Sequence, residues 1–304
     1  MKQLIDSSDI ADDVAALRER MSEDGYLYFP RLLPGDYVTG VRADIAAVLH
    51  DSRWLASGTE PHELRASDDR AVEEGKSTFF GMYSAVQATQ SFHELSEREE
   101  LRGLAQRLLG DEVFCHPMHI ARITAPTPRA TPTPAHQDYR LIQGAVDTLT
   151  MWIPLADCPS DAGGLEVLAG SHKLGVLGVS RAEGPGGVTA QVAGSGVDDW
   201  RSTHFGQGDV LMFTSLTVHG ARPNLSDRLR LSADIRWQAR SEPAAFIDGY
   251  EPFRPHFHPD VPDWPTLTRG WTSTTSIEIP EGLNYVRKFD SMSEHVPTPP
   301  SRFR

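Results

Sequence analysis

The chain has 304 residues, 39% hydrophobic and 23% charged, with 42 acidic against 29 basic side chains and a formal net charge of −13. That is the composition of an ordinary globular protein, long enough to bury a large core. No Lys/Arg run occurs, which argues against nucleic acid as a partner, and no apolar run reaches the length of a membrane span.

The N-terminal part, about residues 1–112, reads as helical. "MKQLIDSSDIADDV" lacks a continuous apolar stretch, so no signal peptide is expected. "SSDIADDVAALRERMSEDG" places Ile10, Val14, Leu17 and Met21 at helical spacing, with a Ser as candidate cap and Gly25 as terminator. "YLYFPRLL" is a short strand or turn. "PGDYVTGVRADIAAVLHDSRWL" is a second amphipathic helix after Pro34, and "SFHELSEREELRGLAQRLLG" a third that ends at Gly110. Between these two, Lys76 to Tyr83, "KSTFFGMY", reads as a lid segment.

From about Val113 the period changes. "VFCHPMHIARIT", "VDTLTMWIPLAD", "GLEVLAG", "DVLMFTSLTVHG" and "RLRLSADIRWQ" are short β-like runs between turn residues, the pattern of a sandwich or barrel. They define a core of about residues 113–240, followed by a C-terminal extension of about 241–304. "APTPRATPTPA" is expected as a surface loop and "VPTPPSRFR" as a frayed or irregular tail. No internal repeat divides the chain, and a single domain is expected. Cys115 and Cys158 are far apart and in no metal-binding spacing; two reduced thiols in a cytoplasmic protein are the expectation.

The stretch that carries chemistry is His136-Gln137-Asp138. On a strand, His136 and Asp138 would point the same way and share one ion. His219, at the end of "GDVLMFTSLTVHG", is the third-ligand candidate, and a hairpin through "GARPNLSD" would bring Arg230 beside it. A second His-x-Asp, His258-Pro259-Asp260, lies among prolines and reads as loop. From Leu229 to Gln238, apolar residues alternate with Arg230, Ser232, Asp234, Arg236 and Gln238, which puts all five polar residues on one face. Solvent or a cavity both account for such a face.

"HQD", "WIPLADCPSDAGGLEVLAGSHKLG", "GDVLMFTSLTVHG" and "PNLSDRLRLS" occur in the order and wording of the phytanoyl-CoA dioxygenase (PhyH) family, which the chain resembles from about Asp24 to Gln238. The resemblance implies a mainly β fold with flanking helices, a double-stranded β-helix (jelly roll, cupin-like). It implies Fe(II) and 2-oxoglutarate as cofactors, with His136, Asp138 and His219 as metal ligands and Arg230 pairing with the far carboxylate of 2-oxoglutarate. Trp152 matches an aromatic that lines the cosubstrate pocket, and strand parity makes Ser232 a second hydrogen bond to the same carboxylate.

Two imidazoles and one carboxylate suit a non-haem iron oxygenase, and also zinc. Arg230 tilts the choice, because a hydrolytic zinc site has no need of a guanidinium aimed at a second carboxylate. The implied reaction hydroxylates an unactivated C–H bond of a small organic molecule, a secondary metabolite, consuming O₂ and releasing succinate and CO₂. Desaturation or cyclisation at the same centre, and a non-catalytic metal-binding jelly-roll sensor, are the alternatives. Arg122, Tyr139, Arg140 and Arg236 are the candidates to meet substrate.

Overall fold

The computed structural model describes residues 1–71, 74, 77–290, 292 and 295–304. The strands are β1 (Lys2–Gln3), β2 (Tyr26–Phe29), β3 (Val113–Cys115), β4 (Ile120–Thr124), β5 (Leu149–Pro154), β6 (Leu165–Leu168) and β7 (Val179–Arg181). They continue as β8 (Val188–Ala190), β9 (Trp200–Ser202), β10 (Val210–Thr214), β11 (His219–Ala221), β12 (Arg230–Ala239), β13 (Ala244–Phe246) and β14 (Tyr285–Arg287). The helices are α1 (Val14–Asp24), α2 (Gly35–Asp51), α3 (Ser77–Gln87), α4 (Gln90–His93), α5 (Glu99–Leu109), α6 (Asp138–Ile142) and α7 (Trp264–Leu267).

Two sheets make the jelly roll. One runs β2-β10-β5-β12-β3, with β4 also paired to β12; the other runs β1-β9-β6-β11. Period-two alternation sorts the side chains of the larger sheet between two environments. Met151, Ile153, Met212, Leu231, Ala233 and Ile235 face a main core shared with Leu17, Met21, Ile45, Leu104 and Leu108 of the helices. Tyr26, Trp152, Leu211 and Phe213 face Leu165 and Val167 of the smaller sheet. Each fully buried aliphatic side chain contributes roughly 1.5–3 kcal/mol to this packing.

The helices meet expectation in place, less so in detail. The cap of α1 is Asp13, whose carboxylate accepts from Ala15 and Ala16 N–H, and no serine takes that role. The third helix is broken: α4 and a 3₁₀ turn at Glu94–Glu97 precede an extended Arg98, after which α5 starts afresh. Gly25 ends α1 at φ 81, where an added Cβ would collide with His172 and Thr217, so only glycine fits. The lid segment begins α3 at Ser77; Lys76 lies outside the described residues.

Three expectations are corrected. Strands β11 and β12 lie in different sheets, so residues 222–229 cross between layers and do not close a hairpin. The Pro/Thr-rich segment is only partly a surface loop: Thr127 and Pro128 are exposed, but Ala125, Pro126 and Ala130 are buried, and Pro134 is half-buried. The C-terminal tail is irregular but docked, with Phe303 at 1% exposure in the main core and Arg302 Nε 2.8 Å from Asp147 Oδ2.

Candidate metal centre

His136 and His219 face each other across an isolated antiparallel bridge, exchanging backbone bonds of 2.8 and 3.0 Å. Pro134 O receives His136 Nδ1 at 2.8 Å and Thr217 O receives His219 Nδ1 at 3.0 Å. A carbonyl only accepts, so each Nδ1 carries the proton and each Nε2 presents a bare lone pair. Gly220 lets this pairing happen, since a Cβ there would press on Thr133 O and Ala135 N at 3.2 Å.

Asp138 does not share a strand with His136. The backbone turns at Gln137, and Asp138 opens α6. Gln137 pins the turn by donating to Gly175 O and Leu216 O at 2.8 and 2.7 Å, and by accepting from Leu177 N at 2.8 Å. A turn thus does what strand parity was expected to do. Asp138 Oδ1 lies 3.7 Å from His136 Nε2 and 3.9 Å from His219 Nε2. This is the group of buried His, Cys, Asp and Glu side chains, among the described residues, whose donor atoms converge closely enough for an ion.

The other face of the carboxylate is occupied. Thr150 Oγ1 donates to Oδ2 at 2.6 Å, while Arg236 Nε and Nη2 reach Oδ2 and Oδ1 at 3.1 Å each. Burial works to raise the Asp138 carboxyl, but Arg236 and then the two imidazoles outweigh it and hold the group well below the usual carboxylate range. Burial also pushes His136 down to about 3 and lowers His219. Neutral imidazoles and an ionised carboxylate are the forms a divalent metal binds, with no proton to displace at neutral pH. The donor set fits Fe(II).

One pocket is lined by His136 and His219 together with Trp152 and Arg230. The polar face of β12 therefore points inward, and the cavity reading of that strand holds over the solvent one: all ten of its residues are buried. Arg230 Nη2 donates to Thr124 Oγ1 at 2.6 Å, but its Nε and Nη1 are buried without partners. Trp152 Nε1 and Ser232 Oγ are buried and equally unpartnered. An unmet buried donor costs about 1–3 kcal/mol. Arg230 and Trp152 bring unpartnered donors to the pocket that His136 and His219 also line, which suits a chelating dicarboxylate.

The four residues offered to substrate have other engagements. Arg122 lines the cosubstrate cavity, yet its Nε is 2.9 Å from Asp234 Oδ2 and its Nη1 3.6 Å from Glu74. Arg236 is bound to Asp138 and is not available as a substrate contact. Tyr139 packs with Val146, Leu216 and Val296, lining neither the metal nor the cosubstrate cavity. Arg140 is buried within α6. Sequence reasoning missed Thr150 and the Arg236–Asp138 contact. Parity showed that Arg236 shares a face with Arg230, but nothing local announced that α6 would arrive opposite it.

The model of the family described as phytanoyl-CoA dioxygenase (PhyH) matches residues 21–232. An ectoine dioxygenase from Streptomyces avermitilis is 25% identical over 173 residues, which is 55% of this chain and 55% of that protein, so the match spans about half of the relative's length. Among solved structures, the 2-oxoglutarate-dependent carbocyclase SnoK from nogalamycin biosynthesis superposes with a TM-score of 0.54 at 22% identity, covering 79% of this chain and 88% of its own. The epimerase SnoN, solved with Fe³⁺, α-ketoglutarate and a nogalamycin compound, superposes with a TM-score of 0.52 at 19% identity, over 77% and 86%. At these identities the solved structures speak for the fold.

Proposed function

The chain belongs to the phytanoyl-CoA dioxygenase family, whose chemistry rests on iron and 2-oxoglutarate, and on that premise we propose that it hydroxylates an unactivated C–H bond of a small organic molecule, a secondary metabolite. One observation carries the reading. The bare imidazole nitrogens of His136 and His219 share one pocket with Arg230 and Trp152, whose Nε, Nη1 and Nε1 donors are buried without partners.

The bound iron with 2-oxoglutarate supplies oxygen activation; the protein supplies position. His136 Nε2, His219 Nε2 and Asp138 Oδ1 would hold the metal, a donor set that suits non-haem iron. Arg230 anchors the far carboxylate through a geometry that lysine does not reproduce. The Asp138 carboxylate stands where related halogenases have a small residue that leaves room for a halide, which favours hydroxylation, desaturation or ring formation over halogenation. The described residues show no basic cluster of the kind that grips CoA phosphates, so a free small molecule is the preferred substrate.

The test is Fe(II)-dependent, O₂-dependent conversion of 2-oxoglutarate to succinate, screened for stimulation by candidate metabolites. Product mass then separates the outcomes: hydroxylation adds one oxygen, whereas desaturation or ring closure removes two hydrogens. Metal binding without succinate formation, with every candidate tried, would support the sensor alternative.

A further inference from the structure

A second pocket, open to solvent, lies between the end of α6 and the C-terminal extension. The inward face of β12 leads to it. Arg230 and Ser232 belong to the cosubstrate end, Arg236 grips Asp138, and Gln238 Oε1 meets His116 Nε2 at 2.8 Å. His116 is one wall of this cavity, and Ile142 and Gln143, at the end of the helix that Asp138 opens, are another. The remaining wall is the C-terminal extension, with Tyr250, Phe253, Arg254, Phe257 and Lys288.

Two cations in this wall have no acidic partner among the described residues, in a chain whose net charge is −13. Arg254 Nε is buried with no hydrogen-bond acceptor, and its guanidinium carbon lies 5.6 Å from the Tyr250 ring. Lys288 Nζ donates to Leu141 O at 2.8 Å and lies 5.6 Å from the Phe257 ring. Tyr250 and Phe257 meet edge to face at 5.7 Å, so the cations flank one aromatic pair. Among the described residues no carboxylate forms an ion pair with either; Glu251, at the cavity edge, is exposed. Burial, and then the nearby Arg236, push the Lys288 ammonium down to about 8. Tyr250 and Phe257 are both more than 40% exposed, as apolar side chains are when a ligand completes their packing.

We propose that this cavity is the substrate chamber and that its ligand is an aromatic organic anion, with rings against Tyr250, Phe253 and Phe257 and an acidic group met by Lys288 and Arg254. The inference rests on the oxygenase reading for what happens to the ligand, but not for its binding. It also explains why a chain with a scattered acidic surface keeps two unneutralised cations beside its metal site.

The experiment compares two fluorescent probes on the full chain: 1-anilinonaphthalene-8-sulfonate, and N-phenyl-1-naphthylamine, which has the same rings without the sulfonate. The expected result is one saturable sulfonate site, weakened about tenfold by Lys288→Met and by Arg254→Met, about the loss of one charged hydrogen bond. Lys288→Arg should retain binding, the neutral probe should change less than twofold in all three variants, and Phe257→Ala should weaken both probes. Unsaturable sulfonate binding, equal affinity in wild type and both Met variants, or parallel loss of both probes in the two Met variants overturns the proposal. Succinate formation is read separately: its absence with charge-selective binding intact would sink the oxygenase reading alone, and the converse would sink only the chamber.

Discussion

Arg236 holds the carboxylate of Asp138 from behind, Nε to Oδ2 and Nη2 to Oδ1 at 3.1 Å each, while the imidazoles of His136 and His219 approach Oδ1 from the front. Thr150 takes a second bond to Oδ2, leaving Oδ1 as the oxygen aimed between the two Nε2 atoms. The pair is buried, with side-chain exposures of 4% and 1%. Arg236 is therefore a positioning residue: it fixes which oxygen reaches the metal and neutralises the carboxylate when no metal is bound.

Replacing it should have two separable effects. Arg236→Met leaves Asp138 as a buried charge without its partner, which costs about 3–5 kcal/mol of stability in the metal-free protein. Loss of orientation should weaken metal binding by about 10–100-fold. Calorimetric titration with Co(II) and melting curves with and without metal read both effects, and Arg236→Lys should recover stability better than metal affinity, because an ammonium cannot bridge two oxygens. Unaltered metal affinity in Arg236→Met would show the contact to be structural only.

At the cosubstrate end, Arg230→Met should raise the 2-oxoglutarate concentration needed for half-saturation by about 10–100-fold, from the loss of charged hydrogen bonds worth about 1.5–3 kcal/mol. Trp152→Phe removes one N–H donor and should cost about 3–10-fold by the same measure. Metal affinity should be untouched in both, since neither side chain is a ligand. A 2-oxoglutarate requirement unchanged by Arg230→Met would refute its role.

Acid should destabilise the protein through a cluster remote from the cosubstrate. His93 Nε2 lies 3.0 Å from Gln87 O, His93 Nδ1 is 3.0 Å from His119 Nδ1, and His119 Nε2 is 3.3 Å from Cys115 Sγ. Gln87 O only accepts, so the proton on His93 is at Nε2; its Nδ1 accepts from His119 Nδ1–H, and His119 Nε2 accepts the thiol proton. One more proton would set two N–H groups against each other. Burial pushes His93 down to about 3 and His116 to about 4, and lowers His119 far below its ordinary value. These folded values lie below the unfolded one of about 6.5, so the unfolded chain binds more protons in between. Stability is complete above that pH and falls as pH drops towards 4, by up to about 1.4 kcal/mol per pH unit for each histidine. Melting temperatures of metal-free protein between pH 8 and 4 check this; a curve flat through pH 5 would contradict it.

The docked tail gives a simpler stability test. Phe303 fills the main core and Arg302 reaches Asp147 and Glu242. Phe303→Ala should cost about 3–5 kcal/mol, readable as a lowered denaturant midpoint. A loss under about 1 kcal/mol would mean that the tail is marginal to the fold.

The convergence of His136, Asp138 and His219, and the place of Arg230 in the pocket beside the two histidines, were legible because each sits in a local pattern of its own and the order of the patterns brings them together. The inward face of β12 was half legible: alternation gives the face, and only burial tells cavity from solvent. The tail and the Pro/Thr segment were misjudged because prolines and polar residues describe irregular backbone, not where that backbone lies. Lys288 and Arg254 were invisible in sequence, since no periodic pattern links the extension to a strand more than a dozen residues earlier. The same limit hid Arg236: its partner arrives from α6, about a hundred residues upstream.

The most direct test is anaerobic titration of 2-oxoglutarate into the Fe(II)-loaded protein, followed by visible absorption. A saturable band should appear with the wild-type chain, vanish in His136→Ala, Asp138→Ala and His219→Ala, and move to higher 2-oxoglutarate concentration in Arg230→Met. Fe(II)-dependent 2-oxoglutarate binding that survives loss of any of the three ligands would contradict the account.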